Sequence, residues 1–197
     1  MKLILVRHPA PDVASGLCYG RSDVAVTPQN MAASCASLLA SLLASLPAHL
    51  PLYSSPLSRC SVLAQMLARA LPASQFTQDP RLAEMDFGAW ELRPWQDIER
   101  TDIDAWAADL AHYRPGGGEN VLAMATRIRS FLTELLREQH ATAIIICHAG
   151  TIRLLTALQA GLSLEETAVL AASNRHQIAY GATVTLDFQR PIVTPGI

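Results

Sequence analysis

Ile144-Ile145-Ile146-Cys147-His148-Ala149-Gly150-Thr151 is the stretch that decides how this chain folds. Consecutive β-branched side chains favour an extended backbone. The run is continuously apolar rather than alternating, which marks a strand buried on both faces, as in a parallel sheet. Gly150 ends it, and the following residues, about 151–160, predict a helix stopped by Gly161. Leu3-Ile4-Leu5-Val6 repeats the apolar run and leads into Arg7-His8-Pro9. Residues 50–53 predict a second strand. Ser55 then reads as a helix N-cap before Pro56, opening a helix to Leu71 that Pro72 stops. Phe76 and Thr77 predict a third strand, and the alternating residues 179–188 a late strand at a sheet edge. The strand-helix order predicts an α/β fold. Its form is a three-layer α/β/α sandwich with a mostly parallel sheet.

Between the first two strands no charged residue occurs from Val24 to Ser58. A helix over 29–46 explains this stretch without a membrane. Leu38, Leu39, Leu42, Leu43 and Leu46 share one side, Ser34, Ser37, Ser41 and Ser45 the other. Pro47 ends the helix short of the roughly 20 apolar residues that a span requires. Only 16% of the 197 residues are charged, against roughly 25% in an average soluble protein. Fifteen basic and seventeen acidic residues leave a net charge of −2, which argues against a nucleic-acid or polybasic membrane surface. The opening residues do not resemble a secretory signal. Cys18, Cys35, Cys60 and Cys147 have no disulfide or metal spacing, so reduced cytoplasmic thiols are expected.

Residues 81–118 differ from the rest. Tryptophans, acids, Pro94, Pro115 and Gly116-Gly117-Gly118 predict an insertion of short helices, long enough to form a lid. A helix over 119–138 follows, with Val121, Met124, Ala125, Ile128, Phe131, Leu132 and Leu135 on one side. One domain over residues 1–197, with the insertion at about 81–118, is the expected organisation.

Candidate chemistry gathers at predicted strand ends. His8 and His148 each follow a buried strand, and ligands of open parallel sheets sit outside such carboxyl ends. A lone histidine there is more often packed core; two at matching ends can converge. Arg59 falls in the first turn of the next helix, where free N–H groups already favour anions. Glu84 and Asp86 precede the insertion. A carboxyl beside arginines is usually an ion pair, or a general acid if its pKa is raised.

The residues that carry these features resemble the histidine phosphatase superfamily, the phosphoglycerate-mutase-like fold. Arg7-His8-Pro9 is similar to its Arg-His-Gly signature, with proline third. Ser54-Ser55-Pro56-Leu57-Ser58-Arg59, Arg81 through Glu91, and Cys147 through Arg153 resemble its other blocks in order. The resemblance implies that His8 attacks phosphorus to give a phosphohistidine. It implies that Arg7, Arg59 and His148 hold the phosphoryl oxygens. Glu84 then protonates the leaving oxygen and helps activate water, with Asp86 and Glu91 as rivals. An attacking imidazole needs one bare nitrogen and an acceptor for its other N–H, for which a backbone carbonyl suffices. Neither a metal nor another cofactor is expected. The departures are Pro9, Ala149 and Leu92 at common glycine positions; Leu92 bears on the path of the insertion.

Gly16-Leu17-Cys18-Tyr19-Gly20-Arg21-Ser22-Asp23 resembles a stretch of the α-ribazole phosphatase branch, as do Trp90 to Trp95 and Pro115 to Glu119. That implies α-ribazole 5′-phosphate, an ester of cobalamin assembly, as substrate. Tyr19, Gly20, Arg21, Ala149 and Gly150 join the expected substrate contacts. Another small phosphate ester remains open as the substrate. A mutase-type phosphotransferase is a further alternative, although such enzymes carry longer insertions. A non-catalytic phosphate-binding protein would be expected to lose His8, His148 or the acid. A monomer or homodimer without nucleic acid or membrane partners is expected.

Overall fold

Strands β1 (Lys2–Arg7), β2 (Leu52–Ser54), β3 (Phe76–Gln78), β4 (Thr142–Cys147) and β5 (Thr183–Asp187) form one sheet in the order β3-β2-β4-β1-β5. They come from a computed structural model that describes residues 1–42, 50–71, 76–173 and 177–189. All pairs are parallel except β1 with β5.

The isoleucine run behaves as a strand buried on both faces must. Successive side chains alternate between faces. Leu3, Leu5, Ala143, Ile145 and Cys147 enter one core. Ile4, Val6, Ile144 and Ile146 enter the other. The helices are α1 (Pro28–Leu42), α2 (Ser58–Ala70), α3 (Arg100–Ala108), α4 (Val121–Leu135), α5 (Ala149–Leu158) and α6 (Leu164–Ser173). Met31, Cys35 and Leu38 of α1 and Leu63 and Leu67 of α2 cover one face. Helices α4, α5 and α6 cover the other, through residues such as Ile128, Phe131, Leu155 and Ala168. Fully burying a leucine or isoleucine stabilises by about 1.5–3 kcal/mol, so these two layers carry the fold. The result is the three-layer α/β/α architecture. Among the described residues no helix is long and apolar enough to cross a membrane.

Several expected boundaries move. Helix α2 starts at Ser58, not Pro56; Leu57 is its N-cap residue and is extended. The Ser55 hydroxyl accepts only a 3.3 Å bond from Leu57 N–H, inside the turn. Helix α5 starts at Ala149 because His148 takes the N-cap position. Asn120 caps α4 through Ala123 N–H. The expected end of the first helix near Pro47, with Leu43, Ser45 and Leu46, and the Pro72 stop lie outside the described residues. Helix α6 was not anticipated. Ser163 and Glu166 cap each other's backbone N–H at 3.2 and 3.0 Å, a capping box that was readable as Ser-x-x-Glu.

Between β3 and α4 the chain makes short 3-10 turns and α3. Trp90, Cys18 and Ile98 form a small core there, with Phe87, Trp106 and Tyr113 packed against it. The rings of Trp95 and Trp106 stack 6.4 Å apart. Leu92 adopts φ +62°, so the chain here follows a glycine-like path with a leucine in place.

Topology decides where a ligand can sit. Strands β1 and β4 are neighbours, yet β1 leads to α1 on one face and β4 to α5 on the other. Such a switch point opens a crevice beyond the strand ends.

Candidate active site

Register brings the two histidines together. Arg7 pairs with Cys147 at the last position of the β1–β4 ladder. His8 N–H continues it by donating to the Cys147 carbonyl at 3.0 Å. One residue further on, the His8 and His148 rings stand with centroids 5.1 Å apart. Strand β2 ends at the same edge, where Ser55 N–H donates to the Ile146 carbonyl at 3.0 Å.

His8 is buried, and its Nδ1–H donates to the Pro9 carbonyl at 2.7 Å. That is the backbone acceptor the sequence called for, and it leaves Nε2 bare. Burial first, then the Arg59 and Arg7 charges, outweigh the Pro9 bond and lower the His8 pKa to about 3. The imidazole is therefore neutral at neutral pH, as a nucleophile must be. His148 is fully buried and held well below 6.5 by burial, Arg59 and His8. Its Nε2 lies 2.8 Å from Ser55 Oγ and 3.5 Å from Cys60 Sγ.

Two arginines flank this pair. Arg59, in the first turn of α2, is 0% exposed. Its guanidinium donates to the carbonyls of Ser22 and Gly20. Arg7 donates to the Ile178 carbonyl. The Nε atoms of both arginines are buried without a hydrogen-bond partner. Among the described residues, neither guanidinium has a carboxylate within ion-pair distance. Buried charges are ordinarily paired, because desolvating a lone ion is expensive. Two such guanidiniums are chemically suited to receive an anion.

Glu84 reaches the site from the segment after β3. Its Oε2 accepts from Gly150 N–H at 3.1 Å and its Oε1 from Met85 N–H at 3.1 Å. An added Cβ at Gly150 would stand 2.4 Å from Glu84 Oε1, so a larger residue here requires the Glu84 carboxylate to move. Arg127 of α4, which the sequence did not flag, fixes the backbone around this acid. It donates to the carbonyls of Arg81 (2.6 Å), Ala83 (2.7 Å) and Glu84 (3.3 Å) while pairing with both oxygens of Glu119 at 2.8 Å.

The rival carboxylates are otherwise engaged. Glu91 accepts N–H bonds from Gly20, Arg21, Ser22 and Phe87. Burial opposes its ionisation, but these donors prevail and keep it below the usual carboxylate pKa. Glu91 thus ties the 20–22 loop to the segment that carries the tryptophans. Asp86 accepts from Gly88 N–H at 2.8 Å and lies 3.9 Å from Arg21.

Beside Glu84 opens a cleft of about 270 Å³. Tyr19, Phe87, Trp95, Trp106, Met124 and Leu154 make its walls, and Ala149, Gly150 and Arg153 line it at the α5 end. Arg21 stands apart, with a side chain 66% exposed. Gly20 contributes its carbonyl to Arg59 and has no room for a side chain, since a Cβ would meet the Met85 carbonyl at 1.9 Å. Tyr180 was not anticipated. Its ring lies 3.8 Å from the Arg7 guanidinium carbon. An antiparallel β5 delivers the residues before it to the β1 end, a consequence that an edge strand of undecided direction did not reveal.

The profile of the histidine phosphatase superfamily (branch 1) matches residues 3–185. The adenosylcobalamin/alpha-ribazole phosphatase of Escherichia coli K12 is 31% identical over 174 residues, which cover 84% of this chain and 82% of that protein. Phosphoserine phosphatase 1 of Hydrogenobacter thermophilus is 28% identical over 120 residues, 58% of this chain and 56% of that one. The crystal structure of the alpha-ribazole phosphatase from Shigella flexneri superposes with a TM-score of 0.76 at 28% identity, covering 96% of this chain and 92% of that chain.

Proposed function

This chain belongs to the histidine phosphatase superfamily, and we propose that it hydrolyses a small phosphate monoester, α-ribazole 5′-phosphate, through a phosphohistidine at His8. The observation that carries the phosphatase chemistry is a pair of carboxylate-free arginines, Arg59 fully buried and Arg7 with a buried Nε, around a neutral histidine.

The substrate phosphoryl group fits between Arg7, Arg59 and His148, whose N–H groups take its equatorial oxygens. Donors fixed in a site that excludes water stabilise developing charge far better than the same donors in water. His8 Nε2 attacks phosphorus and the ester P–O bond breaks. Glu84, as the general acid, gives a proton to the leaving oxygen. The carboxylate it becomes then takes a proton from water, which attacks the phosphohistidine and releases inorganic phosphate. The His8 Nδ1–H stays on the Pro9 carbonyl throughout and stabilises the charge that forms on the ring.

The aromatic cleft beside Glu84 supports the substrate assignment. A leaving group ending in a flat apolar ring would stack on Trp95, Trp106 or Phe87 and remove that surface from water. A small polar ester such as phosphoserine would leave those walls unused. The segment over 81–118 acts in this reading as a lid that holds the ring. A cytoplasmic enzyme is part of this proposal, in keeping with the reduced thiols expected from the cysteine spacing.

Two measurements test this. Brief reaction with labelled substrate should leave an acid-labile, base-stable phosphoenzyme that His8→Ala lacks; a fully active His8→Ala protein sinks the mechanism. A panel of esters compared by kcat/KM should rank α-ribazole 5′-phosphate above phosphoserine and a generic aryl phosphate. Equal turnover of all three removes the substrate assignment and leaves the chemistry standing.

A further inference from the structure

Arg7 raises a question that the phosphatase reading does not answer. A guanidinium without a carboxylate should swing toward solvent, or wander among rotamers, until an anion arrives. Holding it with a carboxylate would fix its direction but neutralise the charge and compete with phosphate. The structure uses a different partner. The Tyr180 ring covers the Arg7 guanidinium at 3.8 Å, and one Arg7 N–H is taken by the Ile178 carbonyl. An aromatic face attracts a cation through its quadrupole, so it orients the group and leaves its charge available.

The rest of the local geometry fixes Tyr180 itself. Its loop is sewn to β1: Arg7 N–H donates to the Ala182 carbonyl, and Gly181 N–H is shared between the carbonyls of Arg7 and His8. The Tyr180 hydroxyl lies 2.6 Å from the Tyr19 hydroxyl. Tyr19 in turn lies 5.5 Å from the Arg59 guanidinium carbon. Each arginine therefore has its own aromatic plate, and a hydroxyl pair links the plates. The Tyr180 ring is also 5.6 Å from the His8 ring, so it borders the nucleophile as well.

We infer that Tyr180, braced by Tyr19, is a positioning residue that aims Arg7 at the phosphoryl group without neutralising it. The inference rests on the phosphate site proposed above. It assigns the ring of Tyr180, not its hydroxyl, the larger part, because the contact with Arg7 is through the ring face.

The test compares Tyr180→Phe, which keeps the ring, with Tyr180→Leu, which removes the quadrupole. Tyr180→Met serves if the leucine variant fails to fold. Affinity for inorganic phosphate and orthovanadate is read by calorimetry, alongside KM, kcat and Tm. Tyr180→Phe should bind both anions within about threefold of wild type, and Tyr180→Leu about tenfold more weakly. KM should rise in parallel for Tyr180→Leu, with Tm little changed because Tyr180 is 43% exposed. A Tyr180→Leu protein that binds phosphate as tightly as wild type overturns the inference. So does a Tyr180→Phe protein as weak as Tyr180→Leu, since the hydroxyl would then carry the effect. Wild-type protein that binds neither anion overturns the phosphatase reading and this inference together, whereas the variant outcomes leave that reading intact.

Discussion

Gly150 and Glu84 fit each other: the Gly150 N–H donates to Glu84 Oε2 at 3.1 Å, and a Cβ on Gly150 would stand 2.4 Å from Glu84 Oε1. The contact joins the start of α5 to the segment after β3, and so joins the His148 side of the site to the proposed acid.

Gly150→Ala should displace the Glu84 carboxylate and little else, because the colliding atom is the free end of a flexible side chain. A misplacement of about 1 Å at a reacting group costs on the order of a hundredfold in rate. We expect kcat on an alkyl phosphate to fall by roughly ten- to a hundredfold, with Tm nearly unchanged. An aryl phosphate, whose leaving group needs no proton, should lose much less. Equal losses on both esters would remove Glu84 from the role of acid.

Buried neutral histidines should make the fold acid-sensitive. The His8 pKa is lowered to about 3 in the folded protein, while the unfolded chain has the ordinary value of 6.5. Below 6.5 the unfolded chain takes up the proton and the folded one does not, so stability falls as pH drops toward 3. At pH 5 the loss from His8 is about 2 kcal/mol, and His148 acts in the same direction. Urea unfolding at pH 7, 6 and 5 should show this decline, and a His8→Ala protein a shallower one. The same pKa predicts that kcat/KM has no acidic limb from His8 above about pH 4.

Leu92 is 54% exposed and holds φ +62°. The left-handed conformation costs an L-residue about 1–2 kcal/mol, partly offset in a glycine variant by its more flexible unfolded chain. Leu92→Gly should therefore stabilise the protein by about 0.5–1 kcal/mol, a rise of about 1–4 °C in Tm. A lower Tm would mean that contacts of the leucine outweigh its backbone strain.

Arg127 holds three carbonyls of the 81–84 segment and both oxygens of Glu119. Arg127→Met should cost about 2–3 kcal/mol by chemical denaturation, since it strands those carbonyls and the Glu119 charge. It should also lower kcat by loosening Glu84. Arg127→Lys should recover little, because an ammonium cannot reproduce the forked geometry. Unchanged kcat in Arg127→Met would show that Glu84 keeps its place without this clamp.

Much of the molecule was legible in its residues. The apolar runs at 3–6 and 144–147 declared parallel strands, because a strand buried on both faces cannot alternate. His8 and His148 at their ends, with Arg59 in the first turn of a nearby helix, pointed to one cluster, because those residue types at strand ends need only a common edge to converge. Helix boundaries were less legible. Ser55 looked like a cap but sits in the turn before α2, 2.8 Å from His148, a use that no local pattern encodes. Three settlements belonged to tertiary structure alone. The register from Lys2↔Thr142 to Arg7↔Cys147 decided that the histidines meet rather than pass. The antiparallel return of β5 brought Tyr180 onto Arg7. Long-range folding put four backbone N–H groups on Glu91 and the Gly150 N–H on Glu84. The physical reason is common to all three. Local sequence sets which backbone shapes and which chemical groups are present, but distances between groups far apart in the chain depend on how sheet register and packing close over them.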